Sequence, residues 1–396
     1  YNVMTLPFQV PFQTGTYDQY LEYAPLFLFS LAISFLATPV VGYVARKLKT
    51  LGWPPSMRDG KKPSDFRHLE KQPTPLLGGI AVILPFIILV LANSTPSPEI
   101  IILMIALIIL LIMGIIDDIH ELSGKAQLII QILVALFIVI SVIDIPNVNN
   151  PLNGFVRLDQ LSYVGTVWGF DYSILLPGDL LLFAWILICT ISVKISSGTD
   201  GLMEGNSLIS AFIFFILSVR FMNDQTATAS VIFAGLILGF LFFNFYPAKI
   251  WSGSTGKSTY GFILAVLSVL SGAKLATAIL ILLLPITDFV LVVIGRIRNH
   301  NVKNPLDILG ISDRTHLHHK LLDLGYSERR IAFFEYLITG LLGAIALATT
   351  GAYRAVVLLS SIVVIAAFIM LLTRYIRTRQ RESRAVEESP EKRYSY

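Results

Sequence analysis

The run Ile100–Ile112 has no polar side chain and passes directly into Met113-Gly-Ile-Ile-Asp117-Asp118-Ile-His-Glu-Leu-Ser-Gly-Lys125; a second apolar run, Leu128–Ile143, follows. Two adjacent carboxylates therefore stand where one hydrophobic helix stops and the next begins. A carboxylate at the centre of a bilayer costs about 2.5–3.5 kcal/mol on insertion scales, and a place at the helix end avoids most of that cost. Adjacent carboxylates repel, so Asp117 and Asp118 read either as a plain solvated helix end or as oxygen ligands of a shared cation such as Mg²⁺.

The whole chain has the same character. Of its 396 residues, 55% are hydrophobic and 14% charged, and the mean hydropathy is +0.72. Apolar runs recur at about the 20-residue length that crosses a hydrocarbon core of about 30 Å. Without water to satisfy the backbone there, such spans must be helical. Eleven are read, at 24–44, 76–92, 100–116, 128–143, 179–193, 207–222, 227–246, 259–270, 275–295, 331–350 and 355–373, giving an all-α integral membrane protein. The single cysteine, Cys189, excludes an internal disulfide and lies within a span.

Threading the chain through these spans puts 26 Lys and Arg on one side and 4 on the other. The positive-inside rule then predicts an external N-terminus and a cytoplasmic C-terminus. Residues 1–23 are expected to form an external segment without the basic start of a signal peptide. Residues 24–373 form the transmembrane domain, and 374–396 a charged cytoplasmic tail, expected to be disordered, whose basic start faces anionic headgroups. The outer loop Asp144–Gly178 alternates turn residues with short apolar pairs and reads as a hairpin.

Eleven spans suit a transporter as well as an enzyme. A transporter places polar groups and broken helices near the midplane, whereas here Asp288 is the clearest charge inside a span and the informative motifs crowd the cytoplasmic side. Lys71-Gln-Pro-Thr-Pro-Leu-Leu-Gly78-Gly79 reads as a close-approach loop or a membrane-entry turn. Lys194-Ile-Ser-Ser-Gly-Thr-Asp200-Gly201 reads as a tight loop suited to a nucleotide base. Asn244–Ser258 contains Gly253-Ser-Thr-Gly-Lys257-Ser, but a phosphate-binding P-loop would need glycine at Trp251 and a preceding strand. Its amides can still form an anion nest with Lys257 as counter-charge. Asp313-Arg314-Thr-His316-Leu-His318-His319-Lys320 groups three histidines, which could bind metal, but the flanking Arg314 and Lys320 make a diphosphate or a phosphosugar the better fit.

Together these stretches resemble the polyprenyl-phosphate N-acetylhexosamine-1-phosphate transferases, membrane glycosyltransferases of family 4. The resemblance runs from about Thr38 to Arg330 through Thr38-Pro39, Pro73–Gly79, Asp117–Lys125, Asp200-Gly-Leu, Asn244–Lys249 and His316-Leu-His-His319. It implies transfer of a sugar-1-phosphate, expected to be GlcNAc-1-phosphate, from a UDP-N-acetylhexosamine to a polyprenyl (undecaprenyl) phosphate, with UMP released. The alternatives are phospho-MurNAc-pentapeptide transfer (lipid I synthesis) and a non-catalytic relative that binds carrier lipid or nucleotide. By resemblance Asp117, Asp118, His318 and His319 are catalytic; Lys71, Lys125, Asp200, Gly201, Lys257, Arg314 and His316 bind substrate. Mg²⁺ is the implied cofactor, at Asp117, Asp118 and the position of Ser254. The expected partners are the two substrates, the bilayer of the plasma membrane and a second copy of the chain, with no nucleic acid. The active face is cytoplasmic.

Two places depart from the family's pattern. N-x-x-D-G-x-D-G is replaced by Lys194-Ile-Ser-Ser197-Gly-Thr-Asp200-Gly201, and G-D-x-G-S by Gly253-Ser254-Thr-Gly-Lys257. Two carboxylates are lost and two lysines gained, so weakened Mg²⁺ binding is expected. A groove for the prenyl tail is expected beside the site, with Phe243, Phe245 and Trp251 at its rim.

Overall fold

A computed structural model describes residues 17–52, 73–95, 97–141, 143, 147–149, 155–167, 170–272, 275–299, 315–349 and 353–387. The chain enters through α1 (Tyr17–Leu21) and α2 (Ala24–Lys47). Two short strands, β1 (Leu51–Gly52) and β2 (Thr74–Pro75), pair antiparallel ahead of α3 (Ile80–Asn93). Then come α4 (Pro98–His120), α5 (Gly124–Ser141), and two antiparallel hairpins, β3 (Asn147–Asn149) with β4 (Phe155–Arg157) and β5 (Asp159–Val167) with β6 (Phe170–Pro177). The stretch between α5 and α6 thus holds two hairpins where one was expected.

α6 (Gly178–Ile195), α7 (Leu202–Arg220), α8 (Asp224–Asn244) and α9 (Gly253–Leu270) follow. The chain closes with α10 (Leu275–Ile281), α11 (Leu283–Asn299), α12 (Leu317–Asp323), α13 (Glu328–Ala348) and α14 (Tyr353–Glu387). Among the described residues, seven helices are long and apolar enough to cross a membrane, or eight if the bent pair α10–α11 is one span.

α9 lies at the centre, because its neighbours approach it backbone to backbone. A Cβ on Gly114 of α4 would stand 2.4 Å from Thr255 Cα, and one on Gly261 of α9 itself 2.7 Å from Thr190 Cα of α6. A second close seam joins α2 to α8. Ser30, Ser34, Thr38 and Gly42 recur every four residues and are buried or half-buried on one face of α2. Gly235 and Gly239 of α8 meet that face at the carbonyls of Phe27 and Leu31. Small residues at such a seam let dispersion hold helices together where lipid offers no hydrophobic drive.

Two expectations need correction. The stretch 275–295 is not one straight span: α10 and α11 meet at 79°. Pro285 explains the break, because its ring excludes the carbonyl of Ile281, four residues back, and it has no N–H to give. Leu280–Leu284 around the bend are at most 2% exposed, so irregular backbone there is shielded by protein. The tail is also not disordered from residue 374, because α14 continues to Glu387. Arg, Gln, Glu and Ala in this segment are strong helix formers and extend the preceding span.

A candidate phosphate site at one end of the bundle

α4 ends at the acidic pair. Glu121, left-handed at φ 49°, closes the helix with its N–H on the Asp117 carbonyl. Asp117 Oδ1 accepts from Leu122 N at 2.7 Å and from Gln127 Nε2 at 2.8 Å, which fixes the turn into α5. Asp118 faces α9. Its Oδ1 accepts from Ser254 N at 2.7 Å; its Oδ2 accepts from Thr255 N at 3.2 Å and Thr255 Oγ1 at 2.5 Å. The anion nest expected at Gly253–Lys257 is therefore real, but its anion is the chain's own Asp118. Gly253 makes this possible: its φ is +65°, and a Cβ would stand 2.3 Å from Asp118 Oδ2.

Lys194, in the last turn of α6, donates to Gln127 Oε1, so Asp117, Gln127 and Lys194 form one hydrogen-bonded chain. Its charged neighbours are Asp117, Asp118 and Lys257. Lys257 in turn lies near Glu204, a buried acid of α7 hydrogen-bonded to Ser252 and also close to Asp200. Charged groups thus connect the acidic pair with the loop 196–201.

That loop is stitched to its surroundings. Asp200 accepts from Ala248 N at 2.8 Å and Trp251 Nε1 at 2.9 Å, using both carboxylate oxygens. Gly201 is left-handed at φ 71°; its N–H reaches Asn244 Oδ1 at 3.1 Å, and its carbonyl accepts from Tyr336 Oη. Asp200, the expected nucleotide ligand, also brackets two loops. Trp251 is its partner and covers Gly52. Phe243 and Phe245 pack on Phe35 and Phe333 at 5.0 and 5.7 Å between ring centres.

The histidines arrive from the other side. Asp288 of α11 accepts from Leu317 N at 2.9 Å and lies 2.8 Å from His316 Nδ1, which answers the question of the acid inside a span. His316 and His318 stack parallel at 5.8 Å, and His319 lies 4.3 Å from His318. His318 Nε2 sits so close to Gly198 that a Cβ there would come within 1.8 Å. The cluster therefore packs on the 196–201 loop. Lys125 is exposed in the first turn of α5. Lys71 and Arg314 lie outside the described residues. Gln127, Glu204, Thr255 and Tyr336 were not anticipated; lone polar residues in apolar helices were the available signal for the first two.

The implied Mg²⁺ fits these residues poorly. Among the described residues, no three His, Cys, Asp or Glu side chains group to hold a metal ion. Asp117 Oδ1 and Asp118 Oδ2 each already accept two hydrogen bonds. Ser254 contributes its N–H to Asp118, and the two lysines present like charge to any dication.

A helical membrane protein with acids, lysines and histidines gathered at one end of its bundle is the class these features define. The chain belongs to glycosyl transferase family 4, whose model matches residues 100–272. It is 30% identical over 264 residues to the phospho-N-acetylmuramoyl-pentapeptide-transferase of Shouchella clausii, covering 63% of this chain and 76% of that one. It is 28% identical over 320 residues to a probable undecaprenyl-phosphate N-acetylglucosaminyl 1-phosphate transferase of Bacillus subtilis, covering 79% and 80%. It is also 28% identical over 357 residues to a decaprenyl-phosphate N-acetylglucosaminephosphotransferase of Mycobacterium leprae, covering 81% and 82%.

Proposed function

We propose that the protein transfers GlcNAc-1-phosphate from UDP-GlcNAc to a polyprenyl phosphate. An oxygen of the lipid phosphate bonds to the β-phosphorus, the bridge from that phosphorus to the α-phosphate breaks, and UMP leaves with the electron pair. Such transfer depends on positioning and charge neutralisation more than on covalent help from the protein. Here Lys194 and Lys257 stand beside Asp117 and Asp118, and the imidazoles of His316–His319 approach through Gly198. Asp200 acts by holding its two loops together.

The observation that carries the reading is this gathering at one bundle end, in a chain that aligns along most of its length with GlcNAc-1-phosphate transferases. Lipid I synthesis is the second reading; the pentapeptide-transferase match covers 63% of the chain against 79% and 81% for the two GlcNAc relatives, which favours GlcNAc. The proposal includes eleven crossings, counting α3, α5 and α9 and the broken pair as one, with the site cytoplasmic in the plasma membrane. The test is UMP release by purified protein given polyprenyl phosphate and either UDP-GlcNAc or UDP-MurNAc-pentapeptide. Release with the first alone is expected; release with the second alone selects lipid I synthesis, and release with neither removes the transferase reading.

A further inference from the structure

We infer that Lys194 and Lys257 supply the positive charge of this site, so that a nucleotide diphosphate binds here without a divalent cation. The inference rests on the nucleotide-sugar reading above and names how that ligand is held.

Three observations converge. First, Lys194 is built in rather than draped over the surface. It is half-buried at the end of α6, and its ammonium is fixed by Gln127, which is itself fixed by Asp117. Second, two ammoniums stand together among the acids: Lys194 has Asp117, Asp118 and Lys257 as its charged neighbours, and Lys257 also lies near Glu204. A dication added here would meet two ammoniums at short range, whereas Asp117 and Asp118 are taken up by backbone and side-chain donors and leave the ammoniums as the groups that a diphosphate can pair with. Third, the acids are used by the fold. Asp118 holds the first amides of α9 and Asp117 holds the start of α5, which leaves few lone pairs for a metal that demands near-octahedral oxygen ligands. Lysine is a good point-charge partner for phosphate. The arrangement thus replaces coordination by charge pairing. Lys257 lies near two acids, Asp118 and Glu204, and Glu204 is itself hydrogen-bonded to Ser252.

The test measures UDP-GlcNAc binding to the full chain in lipid nanodiscs, once in excess EDTA and once in excess Mg²⁺. Equal affinity in the two buffers is expected. Binding lost in EDTA and restored by Mg²⁺ overturns the inference. Replacing both lysines, Lys194→Met with Lys257→Met, is expected to weaken binding in EDTA by roughly tenfold or more, a change of at least about 1.4 kcal/mol. An unfolding midpoint in detergent close to that of the parent chain shows that the variant is folded. Unchanged binding by the double variant in EDTA overturns the inference as well. Lys194→Arg keeps the charge and should keep EDTA-resistant binding; a merely structural lysine would not be rescued in this buffer-specific way. UMP release, followed in the same samples with polyprenyl phosphate, separates the two claims. Binding in EDTA without release in either buffer retains the inference and removes the transferase reading. Binding and release that both need Mg²⁺ do the reverse, and binding in neither buffer overturns both.

Discussion

At the scale of single residues, Asp118 is the most informative side chain. Ser252, the N-cap of α9, makes no side-chain cap bond; Asp118, 136 residues before Ser254, supplies one from another helix by accepting from Ser254 N. Negative charge at a helix N-terminus is favourable, and loss of a cap typically costs about 0.5–2 kcal/mol. Asp118→Asn turns one acceptor into an amide donor that faces Thr255 N and should lower thermal stability by that amount, read as the unfolding midpoint in detergent. Gly253→Ala should cost at least about 1–2 kcal/mol, because it combines a left-handed backbone with a Cβ pressed on Asp118. A midpoint unmoved in both variants would mean that this contact does not hold α9. The adjacent acids were legible as a special pair in the sequence. Their use as a cap was not, because a cap normally lies within its own helix's first turn and this one comes from a distant part of the chain.

Among the elements, close backbone approach decides which helices neighbour which. Gly114→Leu would drive a side chain into Thr255 and separate α4 from α9; overpacking of this kind costs about 1–3 kcal/mol. It should also pull Asp118 from Ser254, so thermal stability and UMP release fall together. Gly340→Leu, in α13, is the control, since a Cβ there has nothing within 4 Å. Its midpoint should stay where it was; equal losses in the two variants would make Gly114 an ordinary helix glycine. Most helix positions were readable to within about five residues because apolar runs of membrane length have one solution, but α9 begins six residues before the expected span and α14 runs 14 residues past it. The bend between α10 and α11 was hidden in an unbroken apolar run, with Pro285 its single local mark. The four-residue recurrence of Ser30, Ser34, Thr38 and Gly42 was visible, yet only Gly235 and Gly239 on α8 give it a partner.

For the molecule as a whole, the distribution of Lys and Arg makes a topological prediction. A cysteine at Lys125 should be shielded from a membrane-impermeant thiol reagent added to intact cells, and one at Arg157 should react. Cys189 is fully buried and leaves the background clean. The reverse pattern would place the candidate site outside the cell. Which motifs share a face was legible from that same charge asymmetry. How they touch was not, because Asp288 with His316, Asp200 with Trp251 and Lys194 with Gln127 are all contacts between separate elements.

α14 has 35 residues, so it is about 52 Å long at 1.5 Å per residue, well beyond a hydrocarbon core of about 30 Å. Arg374 and Arg377 stand three residues apart in its later turns, the spacing that shares one helical face. A rod longer than the bilayer is thick, with arginines past its apolar stretch, acts as a keel. In a bilayer, a shift along its axis drags those arginines across the headgroups, and through its packing on α10, α11 and α12 the helix that carries the histidine cluster shifts with it.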